Sequence, residues 1–167
     1  MKHDKKGVTL SQFTSFLDEI EKHMEAMGDT FACIDGTKSA AQCMDAIKWF
    51  SSDKSGPCFI VCSLCVAGTG INLTQGNHVF MLDTWWNKAF EMHAMDCVCH
   101  LSQKCNVCVV CFVMANTIEK HMVDLWEVKA AMGKGTMERL QPEEVHKLCI
   151  GEFHKLFDLD GITIEIN

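Results

Sequence analysis

Apolar residues in this chain alternate between two rhythms. Between residues 13 and 27, Phe13, Phe16, Leu17, Ile20, Met24 and Met27 recur at the spacing of one helix face, and Gly28 follows as a C-terminal stop. "GVTL" (7–10) ahead of that helix and "TFACID" (30–35) behind it read as strands. Ser39 and Gln42, three apart, form a capping-box start for a helix that carries Met44, Ile47 and Phe50 on one face. "DKSGP" (53–57) then breaks the chain.

"CFIVCS" (58–63) and "HVFMLD" (78–83) are short continuous apolar runs, the pattern of strands buried on both faces of a parallel sheet. The glycine-bearing loop "AGTGINLT" lies between them. Residues 88–101 predict a helix and "VCVVCFVMA" (107–115) another buried strand. Asn116 with Glu119 predicts a cap for a last helix through Ile118, Met122, Leu125 and Trp126. Strand and helix alternate throughout, so the expected architecture is α/β, a parallel sheet with right-handed crossovers and ligands at the carboxyl ends of its strands. From Gly133 a "GKG" linker leads to "PEEVHKLC" and "GEFHKLFDLD", expected to form a helical brace, with a frayed terminus as the alternative.

Composition changes this picture in two ways. At 167 residues, with 48% apolar and 22% charged positions, the chain has the makings of one folded domain. "MKHDKKGVTL" has no apolar signal core and the apolar runs reach about half a membrane span, so neither secretion nor membrane insertion is expected. Eleven cysteines without an export signal point to reduced thiols rather than a disulfide framework. The second change is in the cations: fourteen lysines accompany a single arginine, Arg139, and the formal net charge is −7. Arginine's planar fork is the usual phosphate clamp, so charge alone argues against tight binding of nucleic acid or nucleotide.

The cysteines raise the question of a metal. "CSLC" (62–65), "CNVC" (105–108) and "CVVC" (108–111) have zinc-ligand spacing, and Cys97, Cys99 and His100 lie nearby. A zinc knuckle, however, needs a tight turn, whereas alternation along a strand puts Cys108 and Cys111 on opposite faces. A structural zinc domain is therefore kept only as an alternative, and no metal ligand is assigned. Nothing in the sequence selects a nucleophile among the eleven thiols.

The order of motifs narrows the reading further. "LSQFTSFLDEIE", "IDGTKSAAQ", "SLCVAGTGINLTQGNHVFMLDTWWN" and "EMHAMDCVCHLSQK" follow one another as in the second RecA-like lobe of Swi/Snf-type DNA-dependent ATPases, which residues 7–130 resemble. The "KLFDL" tail is similar to the repair and post-replication branch. The resemblance implies a RecA-like helicase C-terminal lobe over 1–135 with a helical brace or tail over 136–167. It also implies coupling of ATP hydrolysis to movement on duplex DNA, in chromatin remodelling or repair and in the nucleus.

In that family an N-terminal RecA-like lobe supplies the Walker A loop, and ATP with Mg2+ sits between the lobes. No G-x-x-x-x-G-K-[ST] segment occurs in this sequence, so that lobe is expected in cis or in trans. The resemblance places Gly68, Gly70, Asn72, Asp96 and Gln103 on the ATP side. It places Ser11, Gln12, Asp35, Gly36, Ser63, Thr74, Trp85 and Trp86 on the DNA side, with core packing as the alternative for the tryptophans. "EMHAMDCVCHLSQKC" is similar to the family's "EDQAxDRxHRIGQKR", whose two central arginines act on the ATP phosphates. Cys97 and His100 stand at those positions, His93 at the glutamine and Ser102 at the glycine. Cys33, Cys43, Cys105, Cys111 and His121 occupy other arginine positions, Cys65 a lysine and Val66 an alanine. CGN arginine codons become Cys or His by single transitions, which would give this cysteine-rich appearance. A thiol lacks the fork of donors, and imidazole carries a partial charge, so the chain alone is expected to lack ATPase activity and to hold ATP and Mg2+ weakly. The alternative function is a docking lobe for DNA or a partner lobe.

Overall fold

The computed structural model describes residues 5–52, 56–100 and 102–133. In chain order these form β1 (Gly7–Ser11), α1 (Thr14–Met27), β2 (Phe31–Ile34), α2 (Ala40–Ser51), β3 (Phe59–Ser63), α3 (Leu64–Ala67), β4 (His78–Met81), α4 (Lys88–Asp96), β5 (Cys108–Cys111) and α5 (Ile118–Gly133). The expected brace over 136–167 lies outside the described residues. Residues 1–112 and 113–167 are two compact units, and α5 belongs to the second.

The sheet has the order β2-β3-β1-β4-β5, with every neighbouring pair parallel. β1 pairs Ser11 with Ser63 of β3 on one side and Leu10 with Met81 of β4 on the other, so the carboxyl ends of the central strands finish level. The chain first builds β2 and β3 to one side of β1 and then crosses to β4 and β5 on the other. This reversal opens a crevice above β1, the place where parallel sheets take ligands. With right-handed crossovers, the opposite steps from β1 to β2 and from β2 to β3 put α1 and α2 on opposite faces.

The core follows from the continuous apolar runs. Val8 and Leu10, Ala32 and Ile34, Ile60 and Cys62, and Val79 and Met81 pack together with Phe50, Leu64, Leu73 and Val98. Ser39 accepts from the Gln42 amide and Gln42 accepts from the Ser39 amide, so the capping box starts α2 where the sequence predicts. Gly28 ends α1 at φ +76, a left-handed conformation that side chains resist.

Several expectations need correction. On α1, Leu17 is buried while Phe13, Phe16 and Met27 are exposed, because the helix lies over β1 and β3 along a narrower stripe than its apolar spacing suggests. On α2 the inward set is Cys43, Ala46, Ile47 and Phe50; Met44 faces out. The helix expected over 88–101 stops at Asp96 and passes into a turn. The strand expected to be buried is β5, a four-residue edge strand with Cys108, Val109 and Cys111 exposed. In the second unit, Asn116 adopts φ +58 and is not the side-chain cap of α5; Thr117 Oγ1 accepts from the Glu119 amide, and Glu119 accepts from the Met114 amide. Asn tolerates the left-handed turn, and the hydroxyl next to it takes over the capping. The short α3 was not foreseen, since four residues carry no readable period.

Candidate functional site

The crevice above β1 is built from strand ends. Ser11 ends β1 with its side chain 1% exposed; its hydroxyl donates to Asp83 and accepts from the Phe13 amide at 3.0 Å. Asp83, just past β4 and 6% exposed, also takes the Gln12 amide on both carboxylate oxygens at 3.1 Å. A buried carboxylate is tolerated when donors surround it, and here they come from the turn after β1. The Gln12 side chain projects over the crevice and meets the exposed Cys65 thiol at 3.7–3.8 Å. Ser63 is buried and caps α3, accepting from the Val66 amide at 3.4 Å. Asp35 accepts from the Thr37 hydroxyl at 2.5 Å and amide at 2.8 Å, with Lys38 at 3.6 Å. The Thr37 hydroxyl, helped by the Lys38 ammonium, holds its carboxyl below the usual range. Gly36 is exposed at the tip of that turn.

The glycine loop is pinned from two directions. Asn72 Oδ1 accepts from the Thr74 amide at 3.1 Å and its hydroxyl at 2.8 Å, an Asx turn that shapes the loop after Gly70, itself at φ +83. Gln103 Nε2 donates to three main-chain carbonyls, Thr74 at 3.0 Å, Gly76 at 2.8 Å and Val98 at 3.2 Å, while its Oε1 accepts from the Cys105 amide at 3.0 Å. Two N–H groups serving three acceptors means at least one is shared. Gln103 thus fastens the glycine loop to the turn after α4. A Cβ on Gly68 would stand 3.5 Å from the Leu64 and Cys65 carbonyl oxygens and 3.7 Å from the edge of the Phe90 ring.

Cys97 and His100 follow α4 and lie at different levels. The Cys97 side chain is 5% exposed, and its thiol donates to the Ala67 carbonyl at 2.9 Å. The Cys97 carbonyl accepts from the Leu73 amide at 2.9 Å. Burial pushes the thiol pKa up, so Cys97 is neutral at physiological pH and bound to main chain. His100 is exposed, its Nδ1 3.3 Å from the Ser102 hydroxyl, and Asp96 is exposed one turn earlier. Trp85 packs partly on the core and Trp86 is 66% exposed, their rings 6.1 Å apart. Core packing therefore describes Trp85, while Trp86 keeps most of its surface exposed. Among the described residues no group of three or more His, Cys, Asp or Glu side chains could hold a metal ion.

The family described as helicase conserved C-terminal domain matches residues 1–98. The chain belongs to that family. It is a C-terminal RecA-like lobe of the Swi/Snf type. The DNA repair protein RAD5 of Cryptococcus neoformans is 34% identical over 93% of this chain. The helicase-like transcription factor of Homo sapiens is 31% identical over 92%, and the ATP-dependent helicase rhp16 of Schizosaccharomyces pombe 33% over 91%. The chain spans only 13%, 16% and 17% of those proteins. The solved C-terminal part of the Fun30 ATPase domain shares the fold, with a TM-score of 0.71 at 21% identity over 96% of this chain and 50% of that one.

Of the site residues expected from sequence, Ser11, Gln12 and Ser63 gather at the crevice, with Asp35 and Gly36 following β2 at the same end of the sheet. Gly70, Asn72, Thr74 and Gln103 form the pinned loop. Two residues were missed: Asp83, which ties the crevice together, and Glu91, buried on α4. Each left a signal, a lone carboxylate closing an apolar strand run and a glutamate one turn into a helix.

Gln103→Ala is expected to destabilise this helicase C-terminal lobe by about 2 kcal/mol, the sum of a few net hydrogen bonds. Gln103→Glu should cost more, since a carboxylate would face three carbonyl oxygens; urea denaturation of both variants checks the order. A second expectation concerns alkaline pH. Burial pushes the Cys33 thiol up to about 12 and raises Cys62 and Cys97 as well, from an ordinary 9.0. The unfolded chain releases these protons first, so the contribution to stability is full below about pH 9 and falls as pH climbs toward 12. Denaturant midpoints measured from about pH 7 to 11 should fall, and Cys33→Ser should flatten the slope.

Proposed function

We propose that this chain is the second lobe of a Swi/Snf-type DNA translocase that no longer supports ATP turnover and acts as a docking lobe in the nucleus. The observation that carries the reading is the state of Cys97: a neutral thiol turned into the fold, hydrogen-bonded to the Ala67 carbonyl, where the family presents a guanidinium.

Phosphoryl transfer relies on fixed cations that stabilise charge spreading over the phosphate oxygens. Neither residue at the arginine-finger positions fits that task. Cys97 offers no charge, and the imidazole of His100 lies exposed beside Ser102, where solvent screens it and it has no planar fork of donors to offer. ATP with Mg2+ therefore does not fit this lobe as a hydrolysing pair, and no step is derived through it. Glycines and polar groups at the crevice remain placed: Gln12 over the strand ends, the Asp35 turn, the Asn72–Thr74 turn, and Trp86 outward. These suit contact with a DNA backbone and with an N-terminal RecA-like lobe supplied in cis or in trans. The names of the relatives, a DNA repair protein and an ATP-dependent helicase, support the nucleic-acid side of this reading.

The net charge of −7 limits affinity, because released counterions supply most non-specific binding. The prediction is a weak gel shift on duplex DNA that fades between about 50 and 200 mM salt. Trp86→Ala and Gln12→Ala should each weaken it, and ATP should leave it unchanged. A chain that fails to shift duplex at low salt, or whose shift ignores both substitutions, would remove the docking reading.

A further inference from the structure

Past β4 the main chain runs through Asp83, Thr84, Trp85 and Trp86 before the Asn87 cap opens α4. This strap is held at its two ends by buried carboxylates. Asp83 is bound to the Ser11 hydroxyl and the Gln12 amide. At the far end Glu91, 2% exposed, reaches back over the start of α4 and accepts from the Trp85 amide at 2.6 Å. Its other oxygen meets the Lys88 ammonium at 2.8 Å. The Thr84 hydroxyl between them is buried and finds no partner among the described residues, so the strap is fixed from its ends rather than its middle.

A glutamate at the fourth position of a helix needs no buried state, since solvent and the helix dipole would both serve it at the surface. Burying a carboxylate is costly unless its donors are specific. Here one donor is the Trp85 amide, in the Thr84–Trp85 peptide through which the strap enters the aromatic pair. Asn87 already caps α4 through the Ala89 amide at 3.1 Å, so the helix start has a cap of its own.

We propose that Glu91 is the positioning residue for Trp86: its buried carboxylate, steadied by Lys88, fixes the peptide at Trp85 and so holds the Trp86 indole as an outward contact face for nucleic acid. The inference deepens the docking reading and rests on it for the ligand. The positioning itself is independent of any ligand. Glu91 acts through the main chain and touches no DNA.

The test uses the whole chain in two arms. In the first, the four indole N–H resonances are followed by NMR. Glu91→Ala should displace those of Trp85 and Trp86 and speed exchange of the Trp85 amide, leaving Trp49 in place. Glu91→Gln, which keeps an acceptor, should return both toward the parent positions. Unchanged Trp85 and Trp86 signals, or equal displacement of all four, would overturn the proposal. If Glu91→Ala does not fold, Lys88→Met takes its place, and an unchanged Trp85 amide exchange rate is then the overturning result. In the second arm a labelled duplex is titrated. Glu91→Ala should weaken binding by about two- to tenfold, the range of one lost hydrogen bond, with Glu91→Gln closer to the parent, and should have no effect in a Trp86→Ala background. An equal loss in both backgrounds would overturn the proposal. A chain that binds no duplex fails the docking reading while the first arm still decides the positioning.

Discussion

The carboxyl edge of this sheet depends on one constraint: main-chain groups at the strand ends and in the glycine loop must find partners, and neutral side chains or buried carboxylates provide them. Gln103 is the clearest instance, one amide serving the carbonyls of Thr74, Gly76 and Val98. Asp83 does the same for the turn after β1, and Glu91 for the strap before α4. None of these contacts calls for a guanidinium. A lobe held this way needs no guanidinium for its frame, which leaves positive charge to function alone.

That division explains how a cysteine-rich, arginine-poor chain can fold. Cys62 and Cys97 are buried as small apolar groups; Cys65, Cys99, Cys105, Cys108 and Cys111 lie exposed. Cys97 fills space beneath the Ala67 carbonyl and adds a thiol hydrogen bond. Neutral thiols supply no fixed positive charge, a functional quantity, while the apolar contacts of Val8, Leu10, Ile60, Val79 and Phe50 do not depend on charge. The fold and the chemistry are separable here because they draw on different residue classes.

Much of the architecture was legible because continuous apolar runs and capping pairs are local. β1, β3 and β4 read directly from "GVTL", "CFIVCS" and "HVFMLD", and Ser39–Gln42 marked α2. Edge position was not legible: β5 has the composition of a central strand, and nothing in "VCVVC" says that its faces stay exposed. Buried polar partners were equally hidden. Ser11 and Asp83 are 72 residues apart, and only the parallel register of β1 beside β4 brings them together. Gln103 matched a family position on the ATP side, yet the structure gives it a main-chain fastening role that spacing could not reveal. Trp85 and Trp86 are adjacent and chemically identical, and only the tertiary structure separates the packed ring from the outward one.

The central claim is that this lobe retains its frame and lacks the cations that phosphoryl transfer requires. The most direct measurement is DNA-stimulated phosphate release by the chain mixed with a Walker A lobe from a family member, beside the Cys97→Arg, His100→Arg double variant under the same conditions. The account predicts release at the blank level from the parent and a rise above it from the double variant. Release by the parent equal to that of the variant would contradict it.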